Sequence, residues 1–534
     1  MSRENLGSRA HSVAVADPLA DIMSRLKLAG TRYHFIGAGG VGMSGLARLL
    51  LGKKAIVTGS DQNNGAVTKR LNALGARIYT GHSAENLDPA TDIVVISAAI
   101  KADNPELQMA RLRGCRIFKY AQFLGELMDH FEGVAISGTH GKSTTTGWLV
   151  YTLKQIGIDP NFVVGAEVLQ LNGSSGCGDT DLFIVEACEY DRSFHNFRPS
   201  ITCILNIERD HLDCYKNEAE IVDSFHQFAK NIRPGGTLVA NGEDANVMDV
   251  VSRLATAGDP CLVSRDPIGE SRIVDHGSQA PGHGPQVVTF GLDPHCDISA
   301  RNLRQTGGFY QFDVFRDGRL LGATRISLPG LHNVRNALAV IAMALSAGGQ
   351  AEPVLEALDG FKGMDRRLML KGIVPSQDRP GPASFDPNEG PDRRGICVLD
   401  DYAHHPTEIQ ASLAAIRERY QPRRLWCVFQ AHQYGRTHAL LEEFAHSFAL
   451  ADKVIIPEIY FARDSQASCD AVNADILTER IRACGADVLH LASFEAVCDY
   501  LEQNVHAGDV VVTMGAGDVW KVSDEYIQRL RRNR

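Results

Sequence analysis

The chain has 534 residues, 44% of them hydrophobic and 22% charged, with a formal net charge of −10 at pH 7. That length exceeds one hydrophobic core and suggests roughly three domains at about 150 residues each. The acidic balance provides no basic field for nucleic acid, and apolar runs such as Ile93 to Ile100 fall far short of the roughly 18 residues that a membrane helix requires.

Residues 1–20 are polar, mixed in charge and without an apolar h-region, which predicts a disordered leader and no signal peptide. Twelve cysteines are scattered with no CxxC pair and no clustering that would resemble a zinc site or a disulfide framework, which fits a reducing cytoplasm. The first predicted domain, 21–131, opens with RYHFIGAGGVGMSGLA at Arg32 to Ala47, a strand running into Gly37-x-Gly39-x-x-Gly42 and a helix. Asp61 ends the next strand near the ~20-residue spacing at which an acid meets a ribose hydroxyl. Alone, this stretch reads as an NAD-dependent oxidoreductase, but the same turn holds any pyrophosphate at a helix N-terminus. Strands at 76–79, 93–97 and 116–118 continue a βα alternation.

The second predicted domain, 132–350, opens with Val134-Ala-Ile-Ser-Gly-Thr-His-Gly-Lys-Ser-Thr-Thr-Thr146, an apolar strand, a glycine loop and a helix from 144 to 156. Gly138 and Gly141 can bring backbone N–H groups to phosphate oxygens, Lys142 adds a charge, and the Ser143 hydroxyl can ligate Mg²⁺. The spacing is shorter than GxxxxGK, since Ile136 stands where that pattern has its first glycine. Strands at 182–191 and 201–206 end in Glu186 and, a little beyond, His211, two metal-ligand types beside the loop. Residues 266–286 read as a loop insertion, followed by strands at 286–290 and 310–315. His332 and Asn333 stand at a helix start, where capping is the plain alternative to binding.

The third predicted domain, 351–534, carries the pair Arg366-Arg367, either of which can reach a γ-phosphate, and a Pro- and Gly-rich stretch at 372–394 read as an insertion outside the core. The strand at 396–399 runs into Asp400-Asp-Tyr-Ala-His-His-Pro-Thr-Glu408, and the next into Phe429-Gln-Ala-His-Gln-Tyr-Gly-Arg-Thr437. Two acids, a tyrosine and two histidines at one strand end are hard to explain as packing. A last strand, 510–514, leads into the turn Gly515-Ala-Gly-Asp518.

The 138–146 loop resembles the GTHGK(S/T)T loop of the Mur ligases, ATP-dependent amide-forming enzymes that build the peptide stem of bacterial peptidoglycan. The resemblance implies an α/β fold of three domains: a Rossmann-like N-terminal domain, a central P-loop ATPase-type domain with a mainly parallel sheet, and a C-terminal Rossmann-like domain. It implies ATP on Gly138, Thr139, His140, Gly141, Lys142, Ser143 and Thr144, with His332 and Asn336 at the adenine through a segment similar to G-x-HN-x-x-N. It implies Mg²⁺ on Ser143, Glu186 and His211, and a UDP-sugar on Gly37, Gly39, Gly40, Gly42, Met43, Ser44 and Asp61. A family lysine, modified to a carbamate in several members, has no counterpart in register: ungapped counting from His211 reaches His226, and the nearest lysine is Lys230.

The DDYAHHPTE and FQAHQYGRT stretches look most like those of the alanine-adding branch, whose second pattern is closer to FQPHRYxRT, so Gln433 replaces a basic residue. That branch implies UDP-N-acetylmuramate and L-alanine as substrates. It casts Lys142, Glu186, His211, Arg366, His404 and Arg436 as catalytic, with Tyr402, His404 and Arg436 placing the amino acid. The expected enzyme is cytoplasmic, a monomer or weak homodimer. The alternatives are another Mur-type ligase such as the tripeptide-recycling one, the oxidoreductase, and a non-catalytic nucleotide switch.

Overall fold

A computed structural model describes residues 28–256, 284–375, 385–386, 390–391, 395–462 and 464–532. The expected leader at 1–20 and nearly all of the expected loop at 266–286 lie outside them. The chain divides into two compact units between His130 and Phe131. Among the described residues no helix is long and apolar enough to cross a membrane, and the cysteines are free.

The first unit is a five-stranded sheet of β1 (Arg32–Ile36), β2 (Ile56–Asp61), β3 (Arg77–Thr80), β4 (Ile93–Ile96) and β5 (Arg116–Lys119). Its order is β3-β2-β1-β4-β5 and every pairing is parallel. Central strands of such a sheet are covered on both faces, which is why β4 reads Ile-Val-Val-Ile without alternation. The order reverses at β1/β4, the switch point beside which α/β sheets bind ligands. β1 also carries a fully buried histidine, His34, whose ring is held by Thr58 Oγ1 (2.8 Å) and Glu106 (3.2 Å).

The second unit holds two large sheets. The first comprises β6 (Glu132–Ser137), β7 (Asn161–Val168), β8 (Gly173–Gly176), β9 (Leu182–Glu186), β10 (Ile201–Ile204), β11 (Thr237–Asn241), β12 (Gln286–Gly291), β13 (Ile298–Thr306), β14 (Phe309–Arg316) and β15 (Arg319–Arg325). Its order is β15-β14-β13-β12-β11-β10-β6-β9-β7-β8, parallel from β13 to β7 and antiparallel at both edges. The helices Lys142–Gln155 and Leu331–Ser346 share its core. The second is apolar nearly all round, as a helix buried on every side must be.

Trp148 on the first of these helices is fully buried, stacks on Phe361 (centroids 5.5 Å apart) and donates its indole N–H to Leu358 O (3.2 Å). Val354, Leu355, Leu358, Phe361 and Met364 all belong to this middle core. The change from one core to the next therefore falls between Met364 and Met369, later than the expected 350/351, because the helix Ala351–Ala357 packs back onto the middle sheet.

The last sheet contains β16 (Met369–Pro375), β19 (Gly395–Asp401), β20 (Leu425–Phe429), β21 (Lys453–Ile456), β22 (Val488–His490) and β23 (Val510–Met514). Between β16 and β19 lies a two-stranded ladder of β17 (Phe385–Asp386) and β18 (Gly390–Pro391). The order is β16-β19-β23-β20-β21-β22, parallel except for β16 against β19. The expected insertion at 372–394 is corrected at its start: Gly372 to Pro375 complete β16, and Val374 is buried with Ile396 and Val398. Gly372 and Pro375 suggested a loop, but β16 is an edge strand, where proline removes no needed hydrogen bond. Most of 376–394 lies outside the described residues.

β19 ends in two buried acids. Asp400 accepts from Thr513 Oγ1 (2.6 Å), and Asp401 from Ser412 Oγ (2.5 Å). Burial pushes the Asp401 carboxyl up to about 6; Arg367 and Ser412 pull it down, while Glu408 and Asp400 push it further up. A carboxyl raised in the folded state favours the fold below its unfolded value and loses that contribution as pH rises through about 6. Asp401→Asn should therefore melt higher than the parent above pH 6 and gain little at pH 4, a difference of up to about 3 kcal/mol; parallel pH dependences would contradict it. In the middle core, Phe361→Ala should cost about 3–5 kcal/mol in denaturant unfolding followed by Trp fluorescence.

Candidate active site

β6 ends at Ser137, and the chain turns through Gly138 (φ +136°) and Gly141 (φ +83°) into the helix Lys142–Gln155. Space demands these glycines as much as the dihedrals do. A Cβ on Gly138 would lie 2.9 Å from Leu205 Cβ, and one on Gly141 2.9 Å from Asn336 Oδ1. The loop is tied to the end of β10 by Asn206, whose O accepts from Thr139 N (3.0 Å), whose Oδ1 accepts from His140 N (2.7 Å), and whose Nδ2 donates to His140 O (3.1 Å). Ser143 is buried in the first helical turn and Thr144 half-buried beside it.

Lys142 folds back over this loop, its Nζ donating to Gly138 O (2.6 Å), Thr139 O (3.0 Å) and Glu189 Oε1 (3.0 Å). Glu189 is buried and also lies 3.3 Å from His211 Nε2. Burial alone would push the Glu189 carboxyl up, but Lys142 and His211 outweigh it and hold it below the usual range. The next link is Asp210, 3.8 Å from His211 Nε2, which accepts from both Nε (2.9 Å) and Nη2 (2.8 Å) of Arg436. Burial opposes its charge too, yet His211 and Arg436 keep Asp210 well below the ordinary carboxylate range. Glu186, the last residue of β9, accepts from Gly165 N (2.9 Å).

β19 delivers the facing cluster. His405 caps the helix Pro406–Tyr420, accepting from Thr407 N (3.4 Å), and Glu408 sits in its first turn. Glu408 Oε1 lies 3.4 Å from His140 Nδ1 and 3.3 Å from Arg367 Nη1, and its Oε2 accepts from His404 N (3.0 Å). On its other side, His140 Nε2 lies 3.4 Å from Glu208. Burial would lower the His140 pKa, but these two carboxylates raise it to about 9, so the ring is an imidazolium at neutral pH. His404 behaves oppositely: burial, opposed by Glu408 and helped by Arg436, lowers it to about 3. Its Nδ1 meets Tyr402 O at 3.0 Å, which makes Nδ1 the donor and leaves Nε2 as an acceptor.

Arg366 is pinned within the last sheet by Asp400 (3.0 Å) and Gly515 O (2.8 Å), and both arginines lie against the Tyr402 ring at 5.2 and 5.1 Å. Of the pair, Arg367 is the one that shares Glu408 with the phosphate loop. The helix Leu331–Ser346 is capped by Gly330 with no side-chain cap, so His332 and Asn333 are not its capping side chains. Asn333 Nδ2 reaches back to Pro329 O (2.8 Å) and Asn333 Oδ1 accepts from Asn336 (3.1 Å), whose own Oδ1 faces Gly141; burial pushes His332 down to about 4. Gln433 is buried at φ +71°, before the short helix that carries Arg436.

In the first unit the glycine turn is closed by its own acid: Asp61 accepts from Gly39 N (2.8 Å) and Asn63 N (2.9 Å). A Cβ on Gly39 would meet Asp61 Oδ2 at 2.8 Å, and one on Gly42 the Tyr120 ring at 2.7 Å. Gly37 takes φ +85°, Gly40 caps the helix Val41–Gly52, Met43 is buried, and Ser44 Oγ donates to Val41 O (3.0 Å). Glu189, Glu208, Asp210, His405 and Glu408 were not singled out individually from the sequence. Each lies within a few residues of a residue that was, but the chain has left the strand by then and spacing no longer tells which way a side chain faces.

Comparison with known proteins covers the same three sheets. Residues 32–132 match the model described as "Mur ligase family, catalytic domain", 136–264 the "Mur ligase middle domain" and 390–517 the "Mur ligase, glutamate ligase domain". A UDP-N-acetylmuramate–L-alanine ligase of Clostridium botulinum is 37% identical over 92% of this chain and 97% of its own. Among solved structures, the UDP-N-acetylmuramate-alanine ligase of Thermotoga maritima superposes with a TM-score of 0.71 at 25% identity, covering 94% of this chain and all of that one. The murein peptide ligase of Psychrobacter arcticus gives 0.62 at 25% identity, covering 94% and 99%. With a glycine loop, facing acids and three α/β sheets, and with relatives that match more than nine-tenths of its length, the chain belongs to the Mur ligase family.

Proposed function

We propose that the protein is an ATP-dependent ligase that joins L-alanine to the lactyl carboxylate of UDP-N-acetylmuramate. The observation that carries this reading is the junction of the phosphate loop with the DDYAHHPTE and FQAHQYGRT segments through Glu408 and the Asp210–Arg436 pair. That junction supports the reading because it brings polar side chains of both segments to the glycine loop and to the Asp210 turn beside it. The relatives at 37% identity bear the alanine-ligase name, which favours this branch over murein peptide ligation. An oxidoreductase would leave the loop and its facing cluster idle, and Asp61 already accepts two backbone N–H groups.

The UDP-sugar is assigned to the glycine turn of the first unit, and ATP to Gly138–Thr144, with Asn336 and His332 on the adenine side. A carboxylate is a poor electrophile, so the lactyl carboxylate attacks the γ-phosphorus, forming an acyl phosphate and releasing ADP. The free L-alanine amine then attacks the acyl carbon, phosphate leaves with one carboxylate oxygen, and the proton that the nitrogen loses goes to the departing phosphate. Lys142 exchanges Glu189 for the phosphates, and Arg367, beside Glu408, is the better placed arginine for the transferring charge. Arg436 clamps the amino-acid carboxylate in exchange for part of its hold on Asp210. His404 is neutral and offers Nε2 as an acceptor, which orients the amine; a group lowered to about 3 does not store its proton.

The donor set suits Mg²⁺ at two positions. Ser143 and Glu186 supply hard oxygens, with Glu186 steadied by Gly165 N–H, whereas His211 is turned toward Glu189 and reaches an ion only by leaving it. When bound, Mg²⁺ supplies charge neutralisation for the phosphates.

Incubation with ATP, Mg²⁺, UDP-N-acetylmuramate and single amino acids should release phosphate with L-alanine; release only with the tripeptide L-alanyl-γ-D-glutamyl-diaminopimelate would place the enzyme in the recycling branch. Lys142→Ala should lower turnover at least about 100-fold while calorimetry still finds UDP-sugar binding. Arg436→Ala should raise the KM for L-alanine by roughly 10- to 100-fold with much smaller changes for ATP. Loss of ATP affinity with an unchanged alanine KM would make Arg436 a phosphate clamp.

A further inference from the structure

We propose that His140, Glu208 and His405 form a binding site for a zinc-class divalent cation between the phosphate loop and the start of the helix Pro406–Tyr420. One ligand atom from each lies within 4.8 Å of the others. His140 Nε2 is buried without a hydrogen-bond partner and stands 3.4 Å from Glu208 Oε2. His405 Nδ1 stands 3.8 Å from the same oxygen. Bond lengths of about 2.0–2.1 Å to nitrogen and oxygen separate two ligands of a tetrahedral zinc by about 3.3 Å, so both edges are near their required length. The rings face each other with centroids 4.5 Å apart, and a modest swing closes the third edge.

The remaining ring nitrogens make the stronger argument. A metal-bound imidazole usually donates its other N–H to a carboxylate or backbone carbonyl, which fixes its tautomer and orientation. His140 Nδ1 faces Glu408 Oε1 at 3.4 Å, and His405 Nε2 faces Arg209 O at 3.0 Å. Glu208 is steadied as well, its Oε2 accepting from Thr407 Oγ1 (2.5 Å). Each of the three ligands thus already has its outer partner, and metal binding displaces the weak Thr407 N–H contact on His405 Nδ1 (3.4 Å) and the proton on His140 Nε2, whose place beside Glu208 the cation takes. Two imidazoles and one carboxylate suit Zn²⁺ or Co²⁺ and not Mg²⁺, which prefers an all-oxygen shell. An ion here would fasten the phosphate loop to the C-terminal sheet's helix. The site stands whether or not the ligase reading holds.

The test titrates the full-length, chelator-treated protein with Co²⁺ against a background of excess Mg²⁺ and reads visible absorption. The expected result is the intense band of a four-coordinate centre, saturating at one equivalent and abolished by Zn²⁺. Glu208→Gln and His405→Asn, the latter retaining a helix-capping side chain, should each weaken binding at least about 10-fold with an unchanged circular dichroism spectrum, while Ser143→Ala binds as the parent does. If His405→Asn does not fold, Glu208→Gln decides alone. A six-coordinate spectrum, a thiolate charge-transfer band that assigns the ion to cysteine, or undiminished binding by Glu208→Gln would overturn the proposal.

Discussion

The buried Lys142–Glu189 ion pair is the constraint on which the site depends. Both side chains are almost removed from water, 12% and 3% exposed, and breaking a buried pair by removing one partner typically costs about 3–5 kcal/mol. Lys142 therefore cannot leave Glu189 without meeting another anion, and the phosphate loop offers one only when a nucleotide arrives. The same logic repeats outward. Glu189 shares its charge with His211, His211 stands beside Asp210, and Asp210 holds Arg436. A chain of contacts runs from the loop through Glu189, His211 and Asp210 to Arg436 of the C-terminal sheet, and a ligand that neutralises one link alters the energy of the next.

Parallel sheets explain why these groups meet. β6, β9 and β10 all end on the same edge of the middle sheet, so the turns that follow them bring the glycine loop, Glu186 and the Asn206–His211 segment together. β19, β20 and β23 do likewise in the last sheet, delivering Asp400 to His405, the Gln430–Arg436 turn and Gly515. The Asp400–Arg366–Gly515 contacts lock that second edge internally. Arg367 and Glu408 are left as the pair that meets the loop.

Much of this was legible in the sequence because it depends on local rules. Gly138 and Gly141 announce themselves, since no other residue fits beside Leu205 and Asn336 at those dihedrals. Near-continuous apolar runs marked β4, β9 and β23 as strands of covered parallel sheets. What spacing could not supply was the direction of side chains after the strands end. Glu186 stood out as a ligand, while Glu189, three residues on, is the acid that pairs with the lysine. Arg366 and Arg367 were equivalent on paper, and only the positive φ of Arg366 (+56°), with Asp400 behind it, turns them to different tasks. The edge strand at Gly372–Pro375 was hidden for a similar reason: its punctuation is that of a loop, and its partner strand is supplied from 20 residues away.

The proposed reaction requires transfer of a phosphoryl group from ATP to a substrate carboxylate before the amide forms, and oxygen isotopes report that step directly. UDP-N-acetylmuramate carrying ¹⁸O in its lactyl carboxylate should yield inorganic phosphate containing one ¹⁸O per turnover, detected by mass spectrometry or ³¹P NMR. Phosphate free of ¹⁸O, formed at the same rate as the amide, would mean that the carboxylate never attacked phosphorus and would contradict the proposed chemistry.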